Sequence, residues 1–430
     1  MNVAFLGIVL VAFVTAAWRQ IQWAGDGASP MESLSGAVID SAAGAVELAL
    51  GLIGVMTLFL GLMKVAEAGG LLRILAALIR PLMVRLFPEV PARHPAMGAM
   101  ILNLSANAMG LGNAATPFGI RAMQELNKLN PRQGTATDSM ALFLAINTSS
   151  ITLLPTGVIA LRAAAGSGDP AGILPTTLFA TLCSTAVAVV AAKAYSRFFQ
   201  DKRGEVQEGT LDGNEKKPEE RATEAMEDFS EACPLWVSLS AIALLVGMIP
   251  LALIYGKLIS PWIIPCLMAG FLVFGVVRRV KVYEVFVEGA KEGFQVAVRI
   301  IPYLVAILVA VGMFRASGAL ESLVNGLGPW TGRVGLPAEA LPMALMRPLS
   351  GSGAYGILAS IIQDPAVGPD SYTGYLVSTL QGSTETTFYV LAVYFGAVQI
   401  RRIRHTLAAA LTADLFAVIA AVAACTYLFK

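Results

Sequence analysis

Apolar runs of roughly 20 residues, the length that about 30 Å of hydrocarbon demands of a helix, recur along the chain between short polar breaks. Full or nearly full runs occupy 4–18, 45–63, 137–161, 173–192, 236–256, 258–277, 294–314, 373–399 and 406–428, and each predicts a membrane-spanning helix. Two further apolar pieces are interrupted: 95–109 stops at "GLGNAATP", and 338–361 is broken by "RPLSGSGAYG". Polar backbone at membrane depth must be satisfied by protein, water or a ligand, so both pieces predict re-entrant hairpins. Segments 71–87 and 318–330 precede the hairpins. In the first, Arg73, Arg80 and Arg85 on an apolar background predict an interfacial helix. The opening run lacks a positive n-region and a small-residue cleavage site, which favours a retained helix over a signal peptide.

One stretch breaks the pattern. Residues 197–233 are charge-rich and nearly free of large aliphatic side chains, so they predict a solvated linker. It divides the chain into 1–196 and 234–430, and the two parts are alike in plan. "GAVELALGLIGVM" at 44–56 answers "GAKEGFQVAVRII" at 289–301; "LSANAMG" at 104–110 answers "LSGSGAYG" at 349–356; "NTSSITLL" at 147–154 answers "STETTFYV" at 383–390. Internal repeats of this kind mark transporters.

Composition changes the picture only by fixing the solvent. A chain that is 56% hydrophobic and 14% charged belongs in a bilayer. A net charge of +1 offers no basic surface, so nucleic acid is excluded as a partner. Two histidines far apart and four scattered cysteines indicate neither a metal site nor a disulfide framework, and no Ser–His–Asp arrangement is available, so no enzyme is expected.

Charge distribution then orients the repeats. Lys64, Arg73, Arg80, Arg85, Arg93, Arg121, Lys128 and Arg132 lie between the first and last spans of the first repeat; only Arg315, Arg333 and Arg347 lie in the corresponding region of the second. By the positive-inside rule the two regions face opposite sides, so the repeats are expected to be inverted. Threading nine spans alternately puts the N-terminus and the linker in the cytoplasm, and "AKAYSRFFQDKR", "RRVK" and "RRIRH" inside with them. The expected fold is an all-α polytopic membrane protein with two inverted repeats, each holding a re-entrant hairpin and a broken helix. Its expected place is the bacterial cytoplasmic (inner) membrane.

"FPEVPARHPAMGAMILNLSANAMGLGNAATPFGIRAMQELNKLNP" with "FLAINTSSITLLPTGVIALRAA" resembles spore maturation protein A. "RPLSGSGAYGILASI" with "STLQGSTETTFYVLAVYFGAV" resembles spore maturation protein B. The chain is thus similar to a fusion of the two, whose repeats carry the Gate, or nucleoside-recognition, domain also found in concentrative nucleoside transporters. The resemblance implies an inverted pair of hairpins and broken helices around a mid-membrane site. Few helices are left over for a fixed scaffold, which points to a homo-oligomer.

Candidate binding residues follow from the broken segments. Asn103 and Asn107 share a helix face. Ser105 lies between them, Asn113 belongs at the hairpin tip, and Thr116 is expected to cap a returning helix that starts at Pro117. Asn147, Thr148, Ser149 and Ser150 supply the facing broken helix. In the second half Ser350, Ser352, Gln381, Ser383 and Thr384 are the polar counterparts. Arg347 and Glu385 are the charges in apolar surroundings, where an ionised side chain is expensive and usually functional. Small polar residues also glue membrane helices together, and Arg347 and Glu385 can simply pair with each other, so packing stands beside ligand contact. The function expected is secondary transport or export of a small polar solute, nucleoside-like or carboxylate. It needs no cofactor beyond a coupling proton or Na+. The alternative is a non-transporting scaffold in envelope or spore-core maturation. A channel would show a continuous polar stripe.

Overall fold

The computed structural model describes residues 2–25, 27–110, 112–198 and 234–429, and among these its regular elements are helices. In chain order they are α1 (Asn2–Ile21), α2 (Pro30–Ala68), α3 (Leu71–Leu86), α4 (Pro95–Ala108), α5 (Gly112–Lys128), α6 (Asp138–Thr148), α7 (Thr156–Ala164) and α8 (Leu174–Phe198). Then follow α9 (Leu235–Val277), α10 (Val282–Ala316), α11 (Ala319–Thr331), α12 (Leu341–Met346), α13 (Gly351–Ile362), α14 (Tyr372–Ser383), α15 (Thr387–Ala397) and α16 (Thr406–Phe429). Apart from its first two residues, the linker expected at 197–233 lies outside the described residues.

Local chemistry sets several of the boundaries. Ser29 and Glu32 form a reciprocal capping box before α2, with Pro30 at its first position. Thr137, Ser350 and Ser371 cap α6, α13 and α14 by accepting from the backbone three residues on.

The halves match element for element: α2–α3 with α10–α11, hairpin α4–α5 with α12–α13, broken helix α6–α7 with α14–α15, and α8 with α16. Left-handed glycines, Gly70 and Gly318, turn the chain between the first two helices of each half. The equivalent helices α2 and α10 pack against each other antiparallel. Lys64 reaches Glu292 at 3.4 Å, and a Cβ on Gly312 would lie against Ser41 more than 20 residues back along α2. The approach is close because α10 is small there: a Cβ on Gly293 would stand 2.7 Å from Met56 O.

Three helices among the described residues, α2, α8 and α16, are individually long and apolar enough to cross a membrane. The expected broken helices lie within the spans 137–161 and 373–399, interrupted at 149–155 and 384–386. The expected spans 236–256 and 258–277 are one helix, α9, of 43 residues. Lys257, the one residue left between those two spans, is itself in helical conformation. Arg278, just past α9, donates from Nε to Gly69 O at 2.8 Å and ties this end to the end of α2.

Two large apolar cores, beside a smaller one around Met63, Ala66 and Met109, hold the helices together. One gathers Leu52 and Phe59 of α2, Ile159 of α7, Leu308 of α10, Ile357 of α13 and Leu376 of α14. The other gathers Met97 and Met100 of α4, Met123 of α5, Phe143 of α6, Ala188 of α8 and Phe395 of α15. Each broken helix therefore starts in one core and ends in the other, and the breaks lie where the cores meet.

Candidate functional site

Four interruptions converge. The tip of hairpin α4–α5 begins with a turn at Met109 and Gly110, the latter at φ +75°. A Cβ there would collide with Leu154 O, in the break of the first broken helix. Leu153 N donates to Ala108 O at 2.9 Å, joining that break to the hairpin. The second half repeats the contact: Phe388 N donates to Pro348 O at 3.1 Å. The two breaks also meet each other, through Glu385 N to Thr148 O at 2.7 Å. Carbonyls at helix ends, normally left open, are thus taken by backbone N–H groups from neighbouring breaks.

Between these segments lies a cavity of about 160 Å³, lined by Gly110, Thr152, Leu154–Val158, Arg347, Gly351, Tyr355, Gln381, Gly382 and Thr384–Thr386. Of the residues expected to bind solute, Arg347, Gln381, Thr384 and Glu385 reach it. Arg347 is only 7% exposed. Its guanidinium donates to Thr386 Oγ1 at 3.0 Å and to Thr384 O, and stands 3.9 Å from the Glu385 carboxylate. Its Nε has no partner, nor has the Oε1 of buried Gln381. Glu385 was expected in apolar surroundings; its side chain is instead 44% exposed, because it projects from the break rather than from a packed helix. A larger cavity of about 620 Å³ opens elsewhere, among Glu89, Asn130, Arg132, Asp138 and Arg404 at helix ends.

The asparagines are placed differently. Asn103 is fully buried; its Nδ2 donates to Ala115 O at 2.7 Å and to the Tyr394 hydroxyl at 3.1 Å, and its Oδ1 accepts from Asn147 Nδ2. This network ties the first hairpin and first broken helix to α15 of the other half. Ser105 donates to Ile101 O, and Thr148 and Ser149 to Ala145 O, within their own helices. Ser150 is buried, and so is Asn107, whose Nδ2 is unpartnered. Ser350 caps α13 and faces Ser352 at 3.4 Å, while Ser383 donates to Leu380 O. None of these lines the 160 Å³ cavity. The side chain of Asn113 lies outside the described residues.

Thr116 is not the cap expected of it. α5 begins at Gly112, so half-buried Thr116 is already inside the helix and Pro117 is its sixth residue. The helix restarts early, and Pro117, lying in its second turn, lacks the N–H that an α-helix would bond to the carbonyl four residues back.

Sequence reasoning passed over Tyr355 and Thr386, which line the cavity, Tyr394, which closes the asparagine network, and Asp414. The last lies outside the repeat motifs, yet it is 6% exposed and accepts from Thr387 Oγ1 at 2.6 Å. Pairing "STETT" with "NTSSI" could have flagged Thr386, while Tyr394 sits in an apolar run that gives no signal.

Residues 49–165 and 297–401 match the family model described as Gate, nucleoside recognition. The chain is 49% identical over 166 residues to spore maturation protein B of Bacillus subtilis, covering 39% of this chain and 92% of that protein. It is 45% identical over 174 residues to spore maturation protein A of the same organism, covering 40% of this chain and 88% of that one. A 103-residue stretch is 30% identical to the inner membrane protein YjiG of Escherichia coli, covering 24% of this chain and 64% of that protein. Among solved structures, the YdaH transporter of Alcanivorax borkumensis, described as having an unusual topology, aligns at a TM-score of 0.37 and 17% identity over 99% of this chain and 97% of that one.

Proposed function

Since the chain belongs to the Gate, nucleoside-recognition family, we propose that this multi-pass membrane protein is a secondary transporter or exporter of a small polar solute bound between its halves. One observation carries the reading: both hairpin tips and both helix breaks contribute to a single cavity of about 160 Å³ that holds Arg347 and Glu385. Helix breaks at membrane depth are where transporters bind their cargo. The cavity is below the roughly 300–1,000 Å³ of drug-sized ligand sites, so it suits a compact solute. Arg347 favours a carboxylate or phosphate group on it. We assign the buried Asn103–Asn147–Tyr394 network to positioning the breaks rather than to the solute.

Inversion of the repeats belongs to the same proposal, supported by the antiparallel packing of α2 on α10. So do the division into a spore maturation protein A-like half (1–196), a linker (197–233) and a spore maturation protein B-like half (234–430), a cytoplasmic N-terminus and a homo-oligomeric state. A second reading, a scaffold acting in envelope or spore-core maturation, is favoured by the names of the two B. subtilis relatives.

A thermal-shift panel on the purified protein separates the two. Stabilisation by one class among nucleosides, small carboxylates and cations, lost in Arg347→Gln, supports transport. Silence across all three classes favours the scaffold.

A further inference from the structure

Each half closes onto its own break through its last helix. In the first half Thr185 of α8 donates to Ser149 O, at the start of the 149–155 break. In the second half the contact falls to Asp414 of α16, which accepts from Thr387 Oγ1 on the first residue of α15. A neutral hydroxyl is sufficient in one half, whereas the other half uses a carboxylate.

The surroundings of Asp414 do not match a permanent charge. It is 6% exposed, and its Oδ1 has no hydrogen-bond partner. An ionised carboxylate buried with one oxygen unmatched costs far more than the neutral acid. The groups that face it are few. Thr387 of α15 bonds it, Ser184 of α8 bonds the neighbouring Ala413 O, and α6 carries no titratable side chain beyond its first residue, Asp138. Lys193 of α8 is exposed, and Arg347 is the cation whose field reaches Asp414. That guanidinium is itself committed to Thr384 O and Thr386. A divalent cation would need several more oxygen ligands, and among the described residues no three acid, histidine or cysteine side chains cluster to hold a metal.

We propose that Asp414 is the site at which this protein binds and releases a proton, and that the proton sets how firmly α16 holds the start of α15. The proton comes from the aqueous phase reaching the cavity beside Thr386, adds to Oδ1 and takes the side chain from −1 to neutral. Thr387 goes on donating to Oδ2, but to an uncharged acceptor, and hydrogen bonds to ions are roughly twice as strong. Protonation thus loosens the break next to Arg347, and release of the proton to the same phase tightens it. Only the description of this proton as a coupling ion rests on the transporter reading.

The test is infrared difference spectroscopy on the full-length protein in liposomes, stepped in pH without any solute. A protonated-carboxyl C=O band should rise on acidification, be retained in Glu385→Gln and vanish in Asp414→Asn. Thr387→Val keeps the acid but removes its donor, so it should shift the band without abolishing it; this variant carries the test if Asp414→Asn does not fold. A band unchanged in Asp414→Asn, or unmoved in Thr387→Val, overturns the proposal. If the band behaves as expected and no solute is moved by a pH gradient, the proton site stands and the transport reading falls.

Discussion

At the scale of single residues, a heavily bonded side chain is one that hydropathy hides. Arg162 ends α7 in the apolar string "VIALRAA" and is fully buried. Its guanidinium donates to Pro369 O at 2.6 Å, Asp169 O at 3.0 Å and Asp370 Oδ1 at 2.9 Å, and lies 4.2 Å from the Tyr375 ring centre. Arg404, after the other broken helix, pairs with Asp138 at 2.7 Å in the same manner. Each half's broken helix is thus clamped to the start of the other's. Lysine lacks the planar fork, so Arg162→Lys should cost about 3 kcal/mol, the scale of a broken buried ion pair. Asp370→Asn should cost less, since Asp370 is 41% exposed. Chemical denaturation in detergent measures both, and an unchanged midpoint for Arg162→Lys would refute the clamp. Histidine 405 gives a pH test. Burial first, and Arg404 beside it second, hold its imidazole below the ordinary 6.5. The unfolded chain then takes up the proton at higher pH than the folded one. Stability from the neutral ring is complete above pH 6.5 and lost as pH falls through that value. Melting temperature should drop from about pH 7 to 5, and less steeply in His405→Asn. Arg162 was not legible beforehand, because Pro369 and Asp370, which it bonds, lie more than 200 residues away.

At the scale of elements, the interruptions were legible and their geometry was not. Glycine, proline and small polar residues inside apolar runs located both hairpins and both broken helices. The same signals misplaced the start of α5 by several residues, because a turn closed by one left-handed glycine leaves no room for a separate cap. That turn can be tested with an internal control. Gly110 and Gly166 have nearly the same φ, +75° and +78°, but a Cβ meets Leu154 O at Gly110 and nothing within 4 Å at Gly166. Alanine at Gly166 should cost only the left-handed penalty, about 1–2 kcal/mol. Gly110→Ala should cost more, by the displacement of the break. Equal losses in thermal stability would mean that the tip and the break are not in firm contact. Polar composition, likewise, could not separate Asn103, which binds other protein groups, from Gln381, which faces the cavity. The distinction depends on which core each helix end enters.

At the scale of the whole molecule, the repeat and the cation asymmetry were readable from one strand of sequence, but the interleaving of the cores was not, since it joins α7 to the second half and α15 to the first. The structure supplies a route to sidedness that does not count crossings through α9. Because α10 packs antiparallel on α2, with Glu292 beside Lys64, the chain leaves α10 at the face opposite to the one where it leaves α2. Arg132 lies in the loop between α5 and α6, on the cation-rich side; Arg333 follows α11, at the other end of the molecule by this argument. In a background freed of its four cysteines, Arg333→Cys should react with an impermeant thiol reagent added outside intact cells. Arg132→Cys should react only after the membrane is opened. Labelling of both positions from the same side would mean that the two repeats are parallel, and the cavity would then be no meeting place of inverted tips.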